Sequence, residues 1–134
     1  MNRRTARACA MKLVYEWDMG GEGGSATIEG LLELTPGENE YDYMKGIANG
    51  VVEKHTDVDA EILKYLSDDW TMERISKVDT AILRVAIYEL MFTETEPRFV
   101  VNEAVELSKE YSDDKSPAFV NGLLGNFLRN RDNA

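Results

Sequence analysis

"VDTAILRVAIYELMF", residues 78–92, is the longest apolar segment of the chain. Its apolar side chains run nearly all the way round a 3.6-residue wheel, which predicts a helix buried on most sides by other elements. Ser76 is placed to cap its start, and "TETEP" at 93–97 stops it.

Outward from this central helix the periodicity stays helical. Residues 100–111, "VVNEAVELSKEY", put Val100, Val101, Ala104, Val105, Leu107 and Tyr111 across one broad face, with Asn102 and Glu103 starting and fixing that helix. "SDDKS" is a loop. Ser116 followed by Pro117 reads as a capping hydroxyl and then proline at the first helical position, opening a last helix with Phe119, Val120, Leu123, Leu124, Phe127 and Leu128 inward. Toward the N-terminus, residues 3–18 place Ala6, Cys9, Ala10, Leu13, Val14 and Trp17 together, and "GGEGGS" at 20–25 ends that helix as a flexible loop. A short helix is expected over 26–34 after Ser25, then a turn at 35–39 and a third helix over 40–54, with Gly46 and Gly50 allowing close packing. A fourth helix follows, capped by Asp57, and then a short turn capped by Asp69 or Thr71. No segment reads as a convincing strand. The sum is an all-α bundle of about seven helices, and the length predicts one domain over 1–134.

The totals narrow the function. One cysteine, Cys9, excludes an internal disulfide and a cysteine-based zinc site, and one histidine, His55, excludes a histidine-rich metal site. No stretch approaches the ~18 apolar residues of a membrane helix, and the N-terminus lacks the apolar run of a signal peptide, which together predict a soluble cytoplasmic protein. No lysine-bearing phosphate loop, dinucleotide fingerprint or paired histidines are found, so neither catalysis nor a cofactor is expected. Glu89, beside Val78, Ile82 and Val85 on the wheel, is read as a core acid bonded to a helix end or to Arg84 or Arg74, with a perturbed catalytic carboxylate as the alternative.

Charge is distributed unevenly. The formal net charge is −10, yet Arg3, Arg4, Arg7 and Lys12 are the only charged side chains among the first 15 residues. An acidic total repels phosphate, so any nucleic-acid contact must be local. On a wheel Arg3, Arg4 and Arg7 fall on one side, continued by Met11 and Tyr15, with the apolar face opposite. Guanidinium groups suit bidentate phosphate contacts, and a neighbouring ring suits stacking on unpaired bases. Three occupants fit such a stripe: RNA, the protein's own or another subunit's carboxylates, or some other acidic partner.

"ERISKVDTAILRVAIYEL" (73–90), "VVNEAVELSKEYSDDKSPAFVNGLLGNFLRN" (100–130) and the arginine-rich opening with its later tyrosine and tryptophan resemble the NusB family of transcription antitermination factors. The resemblance implies two packed helical subdomains and a role without catalysis. It implies binding to the boxA element of nascent ribosomal RNA leader transcripts as a heterodimer with NusE, a small-subunit ribosomal protein, and recruitment to elongating RNA polymerase. Some members form homodimers that hide the RNA surface, so monomer and homodimer both fit. Carried over by position, the RNA surface comprises Arg3, Arg4, Arg7, Tyr15, Tyr111, Lys115 and Phe119, with Ser116 and Asn121 nearby. Phe119 equally fits the inward face of its helix. Partner binding falls to Glu73, Arg74 and Asp79, where acids suit the basic NusE. Thr5 and Ala8 interrupt the basic run, and Asp113 and Asp114 flank the implied RNA surface; both weaken the expectation of tight RNA binding by this chain alone and are compatible with binding shared with a basic partner. Two other readings are a protein-only acidic adaptor, and a detached relative of the NusB-like domain fused to some ribosomal-RNA cytosine methyltransferases. The chain ends at Ala134 without a cofactor-binding segment, so it is not expected to methylate by itself.

Overall fold

The structure, a computed structural model, describes residues 3–20, 39–66 and 71–132. It is all-helical: α1 (Arg3–Asp18), α2 (Asn39–Lys64), a 3₁₀ turn (Met72–Arg74), α3 (Lys77–Phe92), α4 (Pro97–Tyr111) and α5 (Ser116–Asp132). The helix expected over 26–34 and the candidate cap Asp69 lie outside the described residues. Where about seven helices were expected, five α-helices and one 3₁₀ turn are found among those residues.

Helix α3 is the hub. Its residues from Asp79 to Ile87 are all buried, with Leu83 and Ile87 fully so. Ser76 caps it as predicted, its hydroxyl accepting the Asp79 backbone N–H at 3.1 Å. Helices α1 and α2 pack on each other and on α3, and α4 and α5 do the same from their own side. The two helix pairs therefore share α3 as a common wall, which is how a nearly all-round apolar helix is covered.

Two boundaries differ from the sequence reading. The third and fourth helices expected over 40–54 and from Asp57 are one helix, α2, with Asp57 inside it and exposed. The reason is phase. Met44, Ile47, Ala48, Val51, Val58 and Ile62 are all buried, and their spacing continues one stripe straight through the supposed break. Pro97 does not merely stop the preceding helix; it occupies the first turn of α4, where its missing N–H costs nothing. The Glu96 carboxylate accepts the Arg98 N–H at 3.3 Å as the cap. Glu103 thus sits mid-helix and buried, rather than at a helix start.

The expected glycine roles separate. A Cβ on Gly50 would overlap the Tyr88 ring, so α2 and α3 approach through it, whereas Gly46 faces open space. Arg84 is not the partner of Glu89. It makes a bidentate pair with Asp59, 2.9 Å to each oxygen, and lies 3.3 Å from Asp18, tying α1 and α2 to α3. Among the described residues no helix is long and apolar enough to cross a membrane, and no cluster of potential metal ligands occurs.

Candidate nucleic-acid interface

The arginine stripe does not exist as a single exposed surface. Helix α1 is buried along nearly its whole middle, with Ala6, Ala8 and Ala10 letting neighbours approach closely, and Met11, expected beside the arginines, is 2% exposed. Arg3, Arg4 and Arg7 consequently part in three directions. Arg3 turns to α2, pairing with Glu40 at 2.9 Å and stacking on Tyr43 with its guanidinium 4.0 Å from the ring centre. Arg4 turns to α4, gripping Glu103 through Nε (3.1 Å) and Nη2 (2.9 Å).

Arg7 enters the core, correcting its placement on an RNA-facing stripe. It is 3% exposed and donates from Nε and Nη2 to Glu89 at 2.7 and 3.0 Å. Glu89, 0% exposed, also accepts the Tyr43 hydroxyl at 2.9 Å. This is the core-acid reading of Glu89 with a different arginine. Burial by itself would lower the Arg7 pKa, but the bonds to Glu89 outweigh it and hold the guanidinium above its ordinary value. Burial first, and the Glu89 charge second, push the Tyr43 phenol up. Arg7 Nη1 lies 3.8 Å from Glu103 Oε1 and makes no hydrogen bond among the described residues. Glu89, Arg7, Glu103 and Arg4 thus form a chain of alternating charge from the core to the surface, where the Arg4 side chain is 63% exposed.

What α1 does present is a different line. Arg4, Lys12 and Tyr15 lie along one side at helical spacing, with the buried Ala8 between them, and this edge meets α4, where the Lys12 ammonium sits 4.6 Å from the centre of the Tyr111 ring. Arg4 and Tyr15 are exposed and Tyr111 is half-buried. Immediately beyond Tyr111 the α4–α5 connection is fixed by Asp79. Its carboxylate accepts the Ser112 hydroxyl at 2.7 Å and the Ser116 hydroxyl at 2.8 Å. Asp79 is 6% exposed and so is no partner-facing acid; it anchors the loop from below, and the Ser116 hydroxyl turns inward to it instead of capping α5. The backbone turn is held by Asp113, which accepts the Lys115 N–H at 2.9 Å. This anchoring leaves a groove of about 360 Å³ walled by Arg74, Ile75, Asp79, Lys115, Ser116 and Phe119. Phe119 is half-buried, packed against the core and also lining the groove, so it fits the inward face of its helix and still borders the surface.

The structure therefore brings Arg4, Tyr15, Tyr111, Lys115 and Phe119 along one edge, turns Arg3 toward α2 and takes Arg7 into the core, while Asp79 leaves the expected partner-binding set. Glu73 and Arg74 are exposed on the 3₁₀ turn. Hydrogen bonds from its own backbone N–H and from Thr71 hold the Glu73 carboxyl below the usual carboxylate range. Asn121 is exposed on α5. Sequence reasoning missed Lys12 as a member of the edge, although its spacing from Arg4 and Tyr15 carried that signal. It also missed Glu103, Glu40 and Tyr43 as partners of the arginines, for which no local pattern exists.

Comparison with known proteins agrees with this geometry. The family model described as "NusB family" matches residues 4–129. The transcription antitermination protein NusB of Clostridium novyi (strain NT) is 44% identical over 133 residues, covering 96% of this chain and 99% of that protein. The NusB of Thermoanaerobacter sp. (strain X514) is 40% identical, covering 96% and 91%. Among solved structures, a crystal structure of antitermination factors NusB and NusE in complex with dsRNA superposes with TM-score 0.83 at 30% identity, covering 96% of each chain. T. maritima NusB gives TM-score 0.83 at 29% identity, covering 96% and 92%. The match runs through the arginine-rich helix, the central helix and the α4–α5 edge alike, and the chain belongs to the NusB family of transcription antitermination proteins.

Proposed function

We propose that this chain binds the boxA element of nascent ribosomal RNA leader transcripts together with NusE, and that the pair joins elongating RNA polymerase to suppress termination. Its work is positioning rather than catalysis. The observation that carries this reading is the cationic and aromatic edge of Arg4, Lys12, Tyr15, Tyr111 and Lys115, on a fold shared with a NusB solved together with NusE and RNA. Cations on such an edge hold phosphates, while exposed rings stack unpaired bases. The groove beside Lys115, Phe119 and Arg74 adjoins both the RNA edge and the exposed acid Glu73, the side offered to basic NusE.

Fluorescence anisotropy with a single-stranded boxA RNA, with and without NusE, at two salt concentrations tests this. Three phosphate contacts, from Arg4, Lys12 and Lys115, give a slope of log affinity against log salt of about −2, at ~0.7 per contact. Addition of NusE tightens binding, and Arg4→Ala or Lys115→Ala flattens the slope. Absence of RNA binding in both arms would refute the reading. A protein-only adaptor is favoured by one observation: in the free chain Arg3, Arg4 and Arg7 are each paired with one of the protein's own carboxylates. That alternative requires NusE capture with no contribution from RNA.

A further inference from the structure

We propose that Glu103 is an internal competitor for Arg4, released to Arg7 when RNA phosphate takes the Arg4 guanidinium. This rests on the RNA reading above and names a residue that sets its affinity. In the free chain the Nε–Nη2 edge of Arg4, the edge best shaped for a phosphate, is filled by both oxygens of Glu103. The two partners are unequal in mobility. Arg4 is exposed and can swing outward, while Glu103 is 5% exposed and packed into α4.

A buried carboxylate that loses its only cation is costly, but Glu103 has a second one in place. Arg7 Nη1 is buried, points to Glu103 Oε1 from 3.8 Å, and is otherwise without a hydrogen bond among the described residues. A shift of about 1 Å closes that gap to the length of a charge-assisted bond. Buried donors are nearly always satisfied, and here the unsatisfied donor gains its partner in the RNA-bound arrangement. Arg7 cannot itself leave, because Glu89 holds its other nitrogens in the core. The groove over this chain of charges, about 190 Å³, is lined by Arg4, Arg7 and Glu103 and also by Glu106 and Glu110. Those two acids act on Arg4 through space and not through a hydrogen bond, which makes them charge-matched controls.

The test uses the full chain and a single-stranded boxA RNA in the anisotropy assay. Glu103→Gln keeps an oxygen for Arg7 Nη1 and removes the competing charge. RNA should bind about two- to fivefold tighter, the range of an exposed ion pair with good geometry. The gain should vanish in an Arg4→Ala background, and Glu110→Gln should change affinity by less than about twofold. Unchanged or weaker binding by Glu103→Gln, with Arg4→Ala still weakening RNA, would overturn the competitor and make Glu103 a support for Arg4. If Arg4→Ala has no effect, or the wild-type chain does not bind RNA, the RNA reading falls and the competitor with it. Independently of any variant, nitrogen NMR of the wild-type guanidinium groups should show Arg7 Nη1 becoming hydrogen-bonded as RNA is added; an unchanged Arg7 signal overturns the exchange.

Discussion

Replacing Arg7 by alanine separates a structural cation from a ligand-binding one. The change leaves Glu89 fully buried with one neutral donor, the Tyr43 hydroxyl at 2.9 Å. Removing one partner of a buried ion pair costs about 3–5 kcal/mol, because the charge left behind is uncompensated. The Arg7 guanidinium also lies between two rings, 5.4 Å from the centre of Tyr43 and 5.1 Å from that of Phe99, so contact is lost as well as charge. Against a typical domain stability of about 5–15 kcal/mol this is a large fraction. At about 3–4 °C per kcal/mol for this length, the midpoint should fall by roughly 10–20 °C. Arg4→Ala removes a side chain that is 63% exposed, whose pairing solvent largely screens, so the midpoint should shift by less than about 4 °C. Thermal and urea unfolding followed by circular dichroism measures both. The double change Arg7→Met with Glu89→Leu should recover most of the loss, since apolar replacements remove the stranded charge. The reasoning fails if Arg7→Ala unfolds within about 1 kcal/mol of the wild type.

Three further outcomes follow from the same geometry. Asp79→Ala leaves the Ser112 and Ser116 hydroxyls only each other and Asp113, so stability should drop by about 1–2 kcal/mol and amide exchange should accelerate across the α4–α5 connection. Gly46→Ala and Gly50→Ala, on one helix, should have opposite signs. The first gains up to about 1 kcal/mol of helix propensity in open space, and the second loses about 1–2 kcal/mol against Tyr88 in urea unfolding. For pH, the Tyr43 phenol is raised above its ordinary 10.0 in the folded chain, so the neutral form is the one folding favours. That contribution is intact below about pH 10 and is lost as pH rises through 10 toward the folded value. Tyr43→Phe should therefore flatten the alkaline fall in unfolding free energy relative to the wild type.

Most of the fold is legible in the sequence because burial has a period. The all-round apolar pattern of 78–92 identifies the hub, and Ser76 and Pro117 mark helix starts through local chemistry that needs no neighbour. The failures have local causes too. Asp57 has the chemistry of a cap, but the stripe through Val51, Val58 and Ile62 buries more by continuing than a cap gains by stopping. Pro97 is compatible with both an end and a beginning, and only the Glu96 carboxylate turned onto the Arg98 N–H decides between them.

The site is less legible, and the opening arginines show why. Spacing along α1 places Arg3, Arg4 and Arg7 on neighbouring positions of a wheel, but a wheel has no outside until its neighbours are known. With α2, α3 and α4 all against α1, the angular gap between Arg7 and Arg4 is enough to send one to Glu89 in the core and leave the other at the surface. The acids that receive them lie 37, 99 and 82 residues away in sequence, beyond the reach of any local pattern. Part of the acidic balance that sequence reading set against RNA binding is these same carboxylates, already paired with the arginines. The relevant quantity for a phosphate approaching α1 is therefore not the net charge of −10 but how readily Glu103 lets Arg4 go.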